Sequence, residues 1–307
     1  MQIMTLILGI LEEGLVYAIM ALGVYITFKI LDFPDMSVDG TFPLGSAITA
    51  AGISGSLPII GQVSPVGALF LSFFVGAFAG CITGLIHVKL KVRDLLAGII
   101  VMTALYSINL RIAGRANLPI FNYDTIFSGF SQPYSTALIL LVIVVICKVL
   151  LDLYLNTRSG YLLRAVGNNE MLVTSLAKDK GFVKILGLSL ANGFVALSGS
   201  IYCQQKGFFE ISVGTGTMVI GLASVLIGTQ LFKRLSFFKA TTAVILGSVL
   251  YKACVSIALN VGGQYRIGDY LVEIPITASD LKLITSVLFL IILVASTDRR
   301  KKVKAHA

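Results

Sequence analysis

Residues 134–153 read YSTALILLVIVVICKVLLDL, an almost uninterrupted apolar stretch. A helix needs about 20 residues of this kind to cross the hydrocarbon core of a bilayer. Similar stretches recur along the chain, in which apolar residues make up 56% and charged residues 13%, with a mean hydropathy of +0.92. Soluble globular domains carry about 25% charged residues. The composition excludes a soluble protein and predicts a helical membrane protein that crosses the bilayer many times.

We predict an all-α fold with about nine spans, in one transmembrane domain covering residues 1–307. Two adjacent carboxylates, Glu12 and Glu13, interrupt the first span and are costly in mid-bilayer, so we expect the chain to enter the membrane after Gly14. The acidic stretch 32–39 contains Pro34 and predicts a turn or broken helix before a short, Gly-rich second segment. The expected spans are approximately 5–31, 40–53, 66–87, 95–113, 134–153, 183–203, 216–231, 241–259 and 281–296.

The formal net charge of +9 comes from Lys and Arg residues that concentrate in alternate loops and in the tail, residues 297–307. This pattern follows the positive-inside rule and predicts a cytoplasmic C-terminus and, with nine crossings, an external N-terminus. A short second segment that re-enters without crossing would change this parity, so the side of the N-terminus stays open. No aromatic and basic surface suited to stacking bases accompanies these charges. The partner implied by the charge is therefore the lipid bilayer, and nucleic acid is not expected.

Two segments of the sequence echo each other. Ser37-Val-Asp-Gly-Thr41 is followed by Gly45 and Ala47, and Ser212-Val-Gly-Thr-Gly-Thr217 by Gly221 and Ala223. In the predicted topology the two copies run in opposite directions, and inverted repeats with short Gly-rich segments flank the path of many transporters. Chance is the alternative, because small residues are common wherever membrane helices touch. An inverted internal repeat predicts that Ser37, Asp39, Thr41, Ser212 and Thr217 line a translocation path.

Three further polar residues lie inside predicted spans. Asn109 and Asn192 either line the path or join helices by hydrogen bonds, which is the commoner role of such amides. Lys252 either faces the path or extends its ammonium group outward to the membrane surface, and we favour the second interpretation. Lys148 lies near a span end, where it is expected to reach the surface. The roles of Asn109, Asn192 and Lys252 in the path are predicted from their positions in the sequence alone.

The sequence contains no recognisable catalytic or metal-binding pattern. Its four cysteines lie far apart in apolar stretches, and His87 and His306 lie far from any carboxylate cluster. Clustered spacings are the signature of metal sites and disulfide frameworks. The Gly-rich phosphate-binding motif of ATPases is also missing from the sequence. We expect no enzymatic activity, metal or cofactor, and any energy from ATP must come from another subunit.

The longest basic polar segment, residues 156–182, is predicted to form a cytoplasmic loop with a short helix. Asn168 or Asn169 can cap its N-terminus, and Glu170 complements the helix dipole. Lys178 and Lys180 suit its other end, where Gly181 can terminate it. Leu172 and Leu176, one turn apart, give the helix an apolar stripe. Such a helix is suited to docking on a partner, although packing on the protein's own loops is the alternative.

Three stretches resemble the permeases of branched-chain amino acid and ribose ABC importers. They are Arg164-Ala-Val-Gly-Asn-Asn-Glu170, Ala196-Leu-Ser-Gly-Ser-Ile-Tyr202 and Val38-Asp-Gly-Thr-Phe-Pro-Leu-Gly45, the last resembling an amino-acid subgroup often linked to aromatic substrates. The resemblance implies a bacterial plasma (inner) membrane location, two permease copies in a homodimer, two cytoplasmic ATP-binding subunits and an extracytoplasmic substrate-binding protein.

The resemblance also assigns a role to the cytoplasmic loop. In that family the segment matching 167–179 is the coupling helix that docks into the ATPase, which implicates Gly167, Asn168, Asn169, Glu170, Leu172 and Leu176. The substrate implied is a small amino acid, possibly an aromatic one. A secondary transporter or channel is the alternative, but it would need buried carboxylates or a charged filter ring in the spans.

Overall fold

The computed structural model of the chain describes residues 2–57, 61–129, 132, 134–169, 179–232, 239–260, 264–267, 270–273, 283, 285–287, 289–291 and 293–294. Most of them lie in nine α-helices: α1 (Gln2–Val24), α2 (Val38–Ile53), α3 (Pro65–Lys89), α4 (Asp94–Ala113), α5 (Ser135–Leu155), α6 (Arg158–Asn168), α7 (Lys180–Lys206), α8 (Thr217–Leu231) and α9 (Ala240–Asn260). Two antiparallel ribbons pair β1 (Asn117–Pro119) with β2 (Phe208–Glu210) and β3 (Gln264–Ile267) with β4 (Tyr270–Glu273). The fold is mostly helical, as predicted, and the ribbons are an addition to the all-α expectation.

Seven segments among the described residues are long and apolar enough to cross a membrane. They are Met4–Ile30, Pro65–Lys89, Asp94–Ala113, Ser135–Leu155, Lys180–Lys206, Ile211–Leu231 and Ala240–Ala258. The second predicted segment forms α2, whose 16 residues extend about 24 Å at 1.5 Å per residue, less than the ~30 Å core of a bilayer. Within the predicted ninth span, 281–296, the structure describes residues 283, 285–287, 289–291 and 293–294, all of them helical. The multi-pass architecture is confirmed, and the count of nine is not.

The two ends of the helix bundle differ in what they carry. We call the end with the β1–β2 ribbon, where α4 and α7 end, the ribbon end. We call the opposite end, where α5 ends, α6 lies and α7 begins, the α6 end. Asp152 of α5 accepts a hydrogen bond of 2.7 Å from the Thr241 hydroxyl at the start of α9. Helix α9 therefore also begins at the α6 end.

Helix α7 packs against α1, α2 and α3, and its contact with α3 is unusually close. Gly76, Gly80 and Gly84 lie on one face of α3 at four-residue spacing. A Cβ atom added at Gly80 would lie 2.2 Å from the carbonyl oxygen of Leu188, and one at Gly76 would lie 2.6 Å from that of Asn192. Small residues at this spacing let the backbones of two membrane helices touch. We call this contact the α3–α7 seam.

Helix α1 continues without a break through Glu12 and Glu13, and entry into the membrane after Gly14 stays a prediction. Both carboxylates have partners on α7, because Gln205 Nε2 donates to Glu12 Oε2 over 3.1 Å and Lys206 Nζ donates to Glu13 Oε1 over 2.7 Å. These partners offset the cost of placing acidic groups beside apolar neighbours. A single π-helical turn, Tyr25–Ile30, ends this first span.

The predicted cytoplasmic loop begins with a helix that the sequence did not predict. Helix α6 starts after Thr157, whose hydroxyl oxygen accepts a hydrogen bond of 3.3 Å from Gly160 N. It ends at Asn168, and Asn169 follows in an extended conformation. Asn168 is therefore the last residue of one helix, and it does not cap the start of the next.

The far side of that loop also differs from the prediction. Asp179 caps the N-terminus of α7, where its carboxylate accepts a hydrogen bond of 2.8 Å from Gly181 N. Lys180 and Gly181 therefore begin the next span, and the prediction that Gly181 terminates the loop helix is wrong. Residues 170–178, which include Glu170, Leu172 and Leu176, lie outside the described residues.

Candidate functional site

Two short helices, α2 and α8, begin at the same place inside the bundle. The Asp39 carboxylate in the first turn of α2 accepts hydrogen bonds from Gly216 N at 2.9 Å and Met218 N at 2.7 Å. The Thr217 hydroxyl lies 3.0 Å from Asp39 Oδ1 and 2.9 Å from the Gly214 carbonyl oxygen, so its one proton serves either acceptor. Asp39 thereby caps α8, whose N-terminal amides and dipole favour an anion. We call residues 35–41 and 214–218 the mid-depth junction.

Neighbouring helices show the depth of this junction. The position of a Cβ at Gly40 is 3.0 Å from the Cα of Met102, near the middle of α4. Ser37 Oγ donates to Asn192 Oδ1 over 3.2 Å, near the middle of α7. The junction therefore lies about halfway between the two ends of the bundle.

From the junction, α2 and α8 run in opposite directions. Thr49 of α2 lies 2.5 Å from the Ser200 hydroxyl near the ribbon end. A Cβ at Gly228 of α8 would lie 2.2 Å from the carbonyl oxygen of Ala243, near the start of α9 at the α6 end. The two echoing sequence segments thus meet at mid-depth and send their helices to opposite ends of the molecule.

A second carboxylate, Asp35, stabilises the break before α2 and was not singled out from the sequence. Its side chain is fully buried. Its Oδ1 accepts a hydrogen bond of 2.9 Å from Ser37 N, and its Oδ2 accepts one of 2.8 Å from Asn192 Nδ2. Both carboxylate oxygens are therefore hydrogen-bonded, as most buried polar groups in proteins are. Through its hydrogen bond to Asp35, Asn192 links the non-helical segment before α2 to α7.

Asn109 connects α4 to the junction. It is fully buried, and its Nδ2 donates to the Gly40 carbonyl oxygen over 3.0 Å. Its Oδ1 has no hydrogen-bond partner among the described residues. Asn109 therefore joins helices while keeping one buried acceptor unpaired.

The predicted path residues fall into three groups. Ser37, Asp39, Thr41 and Thr217 meet at the junction, with Asn109 and Asn192 directly against it. Ser212 is exposed toward the ribbon end, and its hydroxyl hydrogen-bonds to the Glu210 carboxylate. Lys252 lies apart from the junction, in a group of charges on α1, α7 and α9.

Lys252 of α9 pairs with a carboxylate of α1, and its extension to the membrane surface stays a prediction. Its Nζ lies 3.3 Å from Glu13 Oε2, and its side chain is 11% exposed. Lys206 Nζ lies 2.7 Å from the other oxygen of the same carboxylate. We call Glu13, Lys206 and Lys252 the charged cluster. The sequence did not identify Glu13 and Lys206 as a site because they are adjacent only in the folded chain.

Three aromatic rings lie beside the charged cluster. Tyr17 and Phe42 stack with their centroids 5.7 Å apart and their planes 3° apart, and Tyr202 packs on both at 6.1 and 5.6 Å. Lys252 Nζ lies 4.0 Å from the centroid of the Tyr17 ring, in cation–π geometry. We call Tyr17, Phe42 and Tyr202 the aromatic wall, which sequence reasoning also missed.

At the α6 end, helix α6 is packed tightly on the end of the first span. A Cβ at Gly167 would lie 1.8 Å from the carbonyl oxygen of Ile30, so the contact is between backbones. Between α6 and α7 lies an open cleft of about 470 Å³, lined by Ser159, Leu162, Asp179, Phe182, Val183 and Leu186. Phe182 is 62% exposed there. Helix α6 and the end of the first span are therefore in direct backbone contact, and an open cleft lies beside them.

In the described part of the chain, no group of three or more His, Cys, Asp or Glu side chains is placed to bind a metal ion. Lys148, which is expected to reach the surface, lies 3.0 Å from Asp152, one turn nearer the end of α5. Charged groups in the described spans thus form pairs both within one helix, as here, and between helices, as in the charged cluster.

Comparison with known proteins matches residues 6–296 to the family described as the permease component of branched-chain amino acid transport systems. The chain is 43% identical to the tyrosine transport system permease protein of Clostridioides difficile (strain R20291) over 284 residues, covering 92% of this chain and 89% of that relative. It is 32% identical over 264 residues to an uncharacterized protein of Rickettsia prowazekii (strain Madrid E), covering 84% and 91%. It is 23% identical over 229 residues to the ribose import permease protein of Escherichia coli (strain K12), covering 72% and 68%. No solved structure matches significantly.

Proposed function

The chain belongs to the permease components of branched-chain amino acid transport systems, and we propose that the substrate it carries is an aromatic amino acid such as tyrosine. The name of the 43% identical relative supports this substrate. The observation that supports transport through this chain is the mid-depth junction. Half-length helices whose N-termini meet at the bilayer midplane form the substrate sites of many transporters.

The opposite directions of α2 and α8 support an inverted internal repeat, with 37–47 and 212–223 as its matching segments. In this arrangement the two halves of the chain rock against each other about the junction and expose it to each side in turn. Asp39 bonds the start of α8 to the start of α2, so it holds the two halves together at their pivot. Ser37, Thr41 and Thr217 lie at this pivot as path residues, with Asn109 and Asn192 behind them.

The orientation follows from charge. The α6 end carries the basic loops of the sequence, and the positive-inside rule places that end and the C-terminus in the cytoplasm. The ribbon end then faces the substrate-binding protein outside the plasma membrane of a bacterium. A homodimer of this one-domain permease, with two ATP-binding subunits, completes the importer.

The coupling element is the segment 167–179 between α6 and α7. Gly167 contacts the backbone of Ile30, so force applied to α6 reaches the first span without passing through flexible side chains. Gly167, Asn168 and Asn169 form the described entry to this segment, and Glu170, Leu172 and Leu176 follow. The open apolar cleft beside it provides additional area for the ATPase.

Replacing Leu172 and Leu176 together by Ala tests the coupling assignment. Truncating a buried interface anchor commonly costs about 2 kcal/mol or more, so we expect uptake to be abolished while the permease still inserts and folds. Hydrolysis should lose its response to substrate-loaded binding protein in reconstituted, expression-matched complexes. Normal stimulated hydrolysis and normal uptake in this variant would contradict the assignment. Reduced permease stability with normal coupling per folded complex would show a loop packed only on its own protein.

The substrate is tested in proteoliposomes that contain the permease, its ATPase and its binding protein. We expect ATP-dependent accumulation of tyrosine, with leucine and ribose as competitors that leave it unchanged. The permease dimer alone should show little affinity for the substrate. Accumulation of ribose and no amino acid would overturn the proposed substrate, as would tight, saturable binding of tyrosine to the isolated permease.

A further inference from the structure

The charged cluster holds two ammonium groups and one carboxylate. Glu13 Oε1 lies 2.7 Å from Lys206 Nζ, and Glu13 Oε2 lies 3.3 Å from Lys252 Nζ. Each oxygen of the carboxylate is thus assigned to a different lysine, on a different helix. Two lysines thus share one carboxylate, while the adjacent carboxylate, Glu12, accepts a hydrogen bond from Gln205 instead.

Hydrogen-bonding capacity near the cluster is also incompletely used. An ammonium group has three donors, and Glu13 is the one hydrogen-bond acceptor found for Lys252 in the described part of the chain. Gln205, which precedes Lys206, donates to Glu12 through Nε2, while its buried Oε1 has no described partner. Donors and an acceptor therefore remain for a ligand that carries groups of both kinds.

The aromatic wall begins where the charged cluster ends. Lys252 Nζ lies over the Tyr17 ring, and Glu13 precedes Tyr17 by one turn of α1. Phe42, which stacks on Tyr17, follows Asp39 by one turn of α2. The charged cluster, the aromatic wall and the mid-depth junction therefore follow one another along α1 and α2.

A structural role alone explains this arrangement poorly. The Glu13 side chain is 38% exposed, and an ion pair that is partly exposed contributes only about 0–1 kcal/mol to stability, so the pair itself is weak support for the fold. A lysine near the centre of a span costs about 2.5–3.5 kcal/mol on insertion scales, and such residues commonly mark a substrate pathway. Lys252 lies within the span α9, and a second lysine, Lys206, already pairs with Glu13.

Building on the proposed function, we propose that the charged cluster and aromatic wall form a low-affinity site for the zwitterionic head and the ring of an aromatic α-amino acid. The substrate carboxylate replaces Glu13 on Lys252, with Lys206 beside it. The substrate ammonium group then donates hydrogen bonds to the Glu13 carboxylate and to Gln205 Oε1. The ring packs on Tyr17 and Tyr202. Each charge released by opening the Glu13–Lys252 pair is thereby paired again, so the exchange leaves no charge unpaired.

The site is tested on the permease–ATPase complex without its binding protein, using tyrosine, tyramine and 3-(4-hydroxyphenyl)propanoate as ligands. Tyramine lacks the carboxylate and the propanoate lacks the amine. We expect tyrosine to raise the midpoint of thermal inactivation with a dissociation constant on the order of 1 mM or weaker. Each analogue should bind at least about tenfold more weakly, since one charged partner is lost. Equal protection by tyrosine and tyramine would overturn the proposal.

Lys252→Met tests whether the charged cluster binds substrate, and Lys148→Met is its matched control. Both replace a paired lysine within a span, but Lys148 pairs with Asp152 at the α6 end. With binding protein saturated, Lys252→Met should lower the maximal rate of tyrosine uptake at least about tenfold and abolish tyrosine protection, while Lys148→Met retains both. Unchanged maximal uptake in Lys252→Met would overturn the proposal and leave the aromatic amino acid as the substrate. Absence of tyrosine uptake by the unaltered complex would instead overturn the proposed function.

A double variant, Glu13→Gln with Lys252→Met, separates binding from folding. If the pair only holds helices together, removing both charges restores uptake relative to Lys252→Met. A substrate site predicts that the double variant inserts and assembles normally but transports no better than Lys252→Met. Restored uptake would overturn the proposal.

Discussion

The mid-depth junction and the charged cluster are both polar groups inside an apolar bundle, yet they are built differently. At the junction, Asp35 and Asp39 are bonded by backbone amides, a hydroxyl and the amide of Asn192, at distances of 2.7–3.0 Å. In the charged cluster, one carboxylate is divided between two lysines, and the Lys252 contact is 3.3 Å long. The junction is nearly saturated with partners, whereas in the cluster two lysines share one carboxylate.

This difference suggests a difference in use. A buried polar network whose members are all paired makes a structure rigid and unique, because any rearrangement leaves a group unpaired. A cluster with surplus donors can exchange partners at lower cost. We therefore expect substitutions at the junction to lower stability first, and substitutions in the cluster to lower transport first.

The largest effect on stability is expected for Asp39→Ala. The change uncaps α8 and leaves the amides of Gly216 and Met218 without their acceptor. Loss of a cap and of hydrogen bonds to a charged group should lower the free energy of unfolding by about 2–4 kcal/mol. The thermal inactivation midpoint of the purified permease measures this loss, with Asp39→Asn, which keeps one acceptor oxygen, as the milder comparison. Equal midpoints for Asp39→Ala and the unaltered protein would show that the junction is not a structural pivot.

An intermediate effect is expected for Thr217→Val, which keeps the shape of the side chain. The Thr217 hydroxyl has one proton for two acceptors, Asp39 and Gly214, so the variant loses one hydrogen bond, worth about 1 kcal/mol. Thr215→Val, at an exposed position in the same turn, is the control and should leave the midpoint unchanged. A loss as large as that of Asp39→Ala would mean that the hydroxyl, and not the two amides, carries the cap.

The smallest effect on stability is expected in the charged cluster. Glu13→Gln combined with Lys252→Met should change the free energy of unfolding by about 1 kcal/mol or less, because the Glu13 side chain is 38% exposed and partly exposed ion pairs contribute little to stability. The same thermal assay measures it beside Asp39→Ala. If the cluster variant proves the less stable of the two, the distinction between a structural junction and a functional cluster is wrong.

The outer spans could be read directly from the sequence. Residues 66–87, 95–113 and 134–153 were predicted, and the helices are Pro65–Lys89, Asp94–Ala113 and Ser135–Leu155. These helices expose broad apolar faces, such as Phe70, Phe74 and Phe78 on α3. Their apolar runs are therefore nearly continuous, and a scan for apolar length finds them. Helix α6, which is short and polar on one side, gives no such signal.

The charged cluster could not be read in this way because its members are distant in sequence. Glu13 lies 193 residues from Lys206 and 239 from Lys252. An analysis of neighbouring residues therefore finds isolated charged side chains in apolar stretches and no ion pair. The adjacent carboxylates were therefore interpreted as an interruption of the first span. Part of the junction was predicted, because the echo between the two sequence segments pointed to Ser37, Asp39, Thr41 and Thr217. Asp35 was missed because its importance depends on Asn192, in another helix.

The α3–α7 seam has a consequence for the permeability of the membrane. At Gly76 and Gly80 the backbone of α3 approaches the carbonyl oxygens of Asn192 and Leu188 so closely that even a methyl group does not fit. A file of water, which conducts protons, needs more room than a methyl group, so none can form along this contact. Close-packed backbones also resist sliding. We therefore expect the seam to stay closed to water, and proton leakage to increase before transport is lost when either glycine is enlarged.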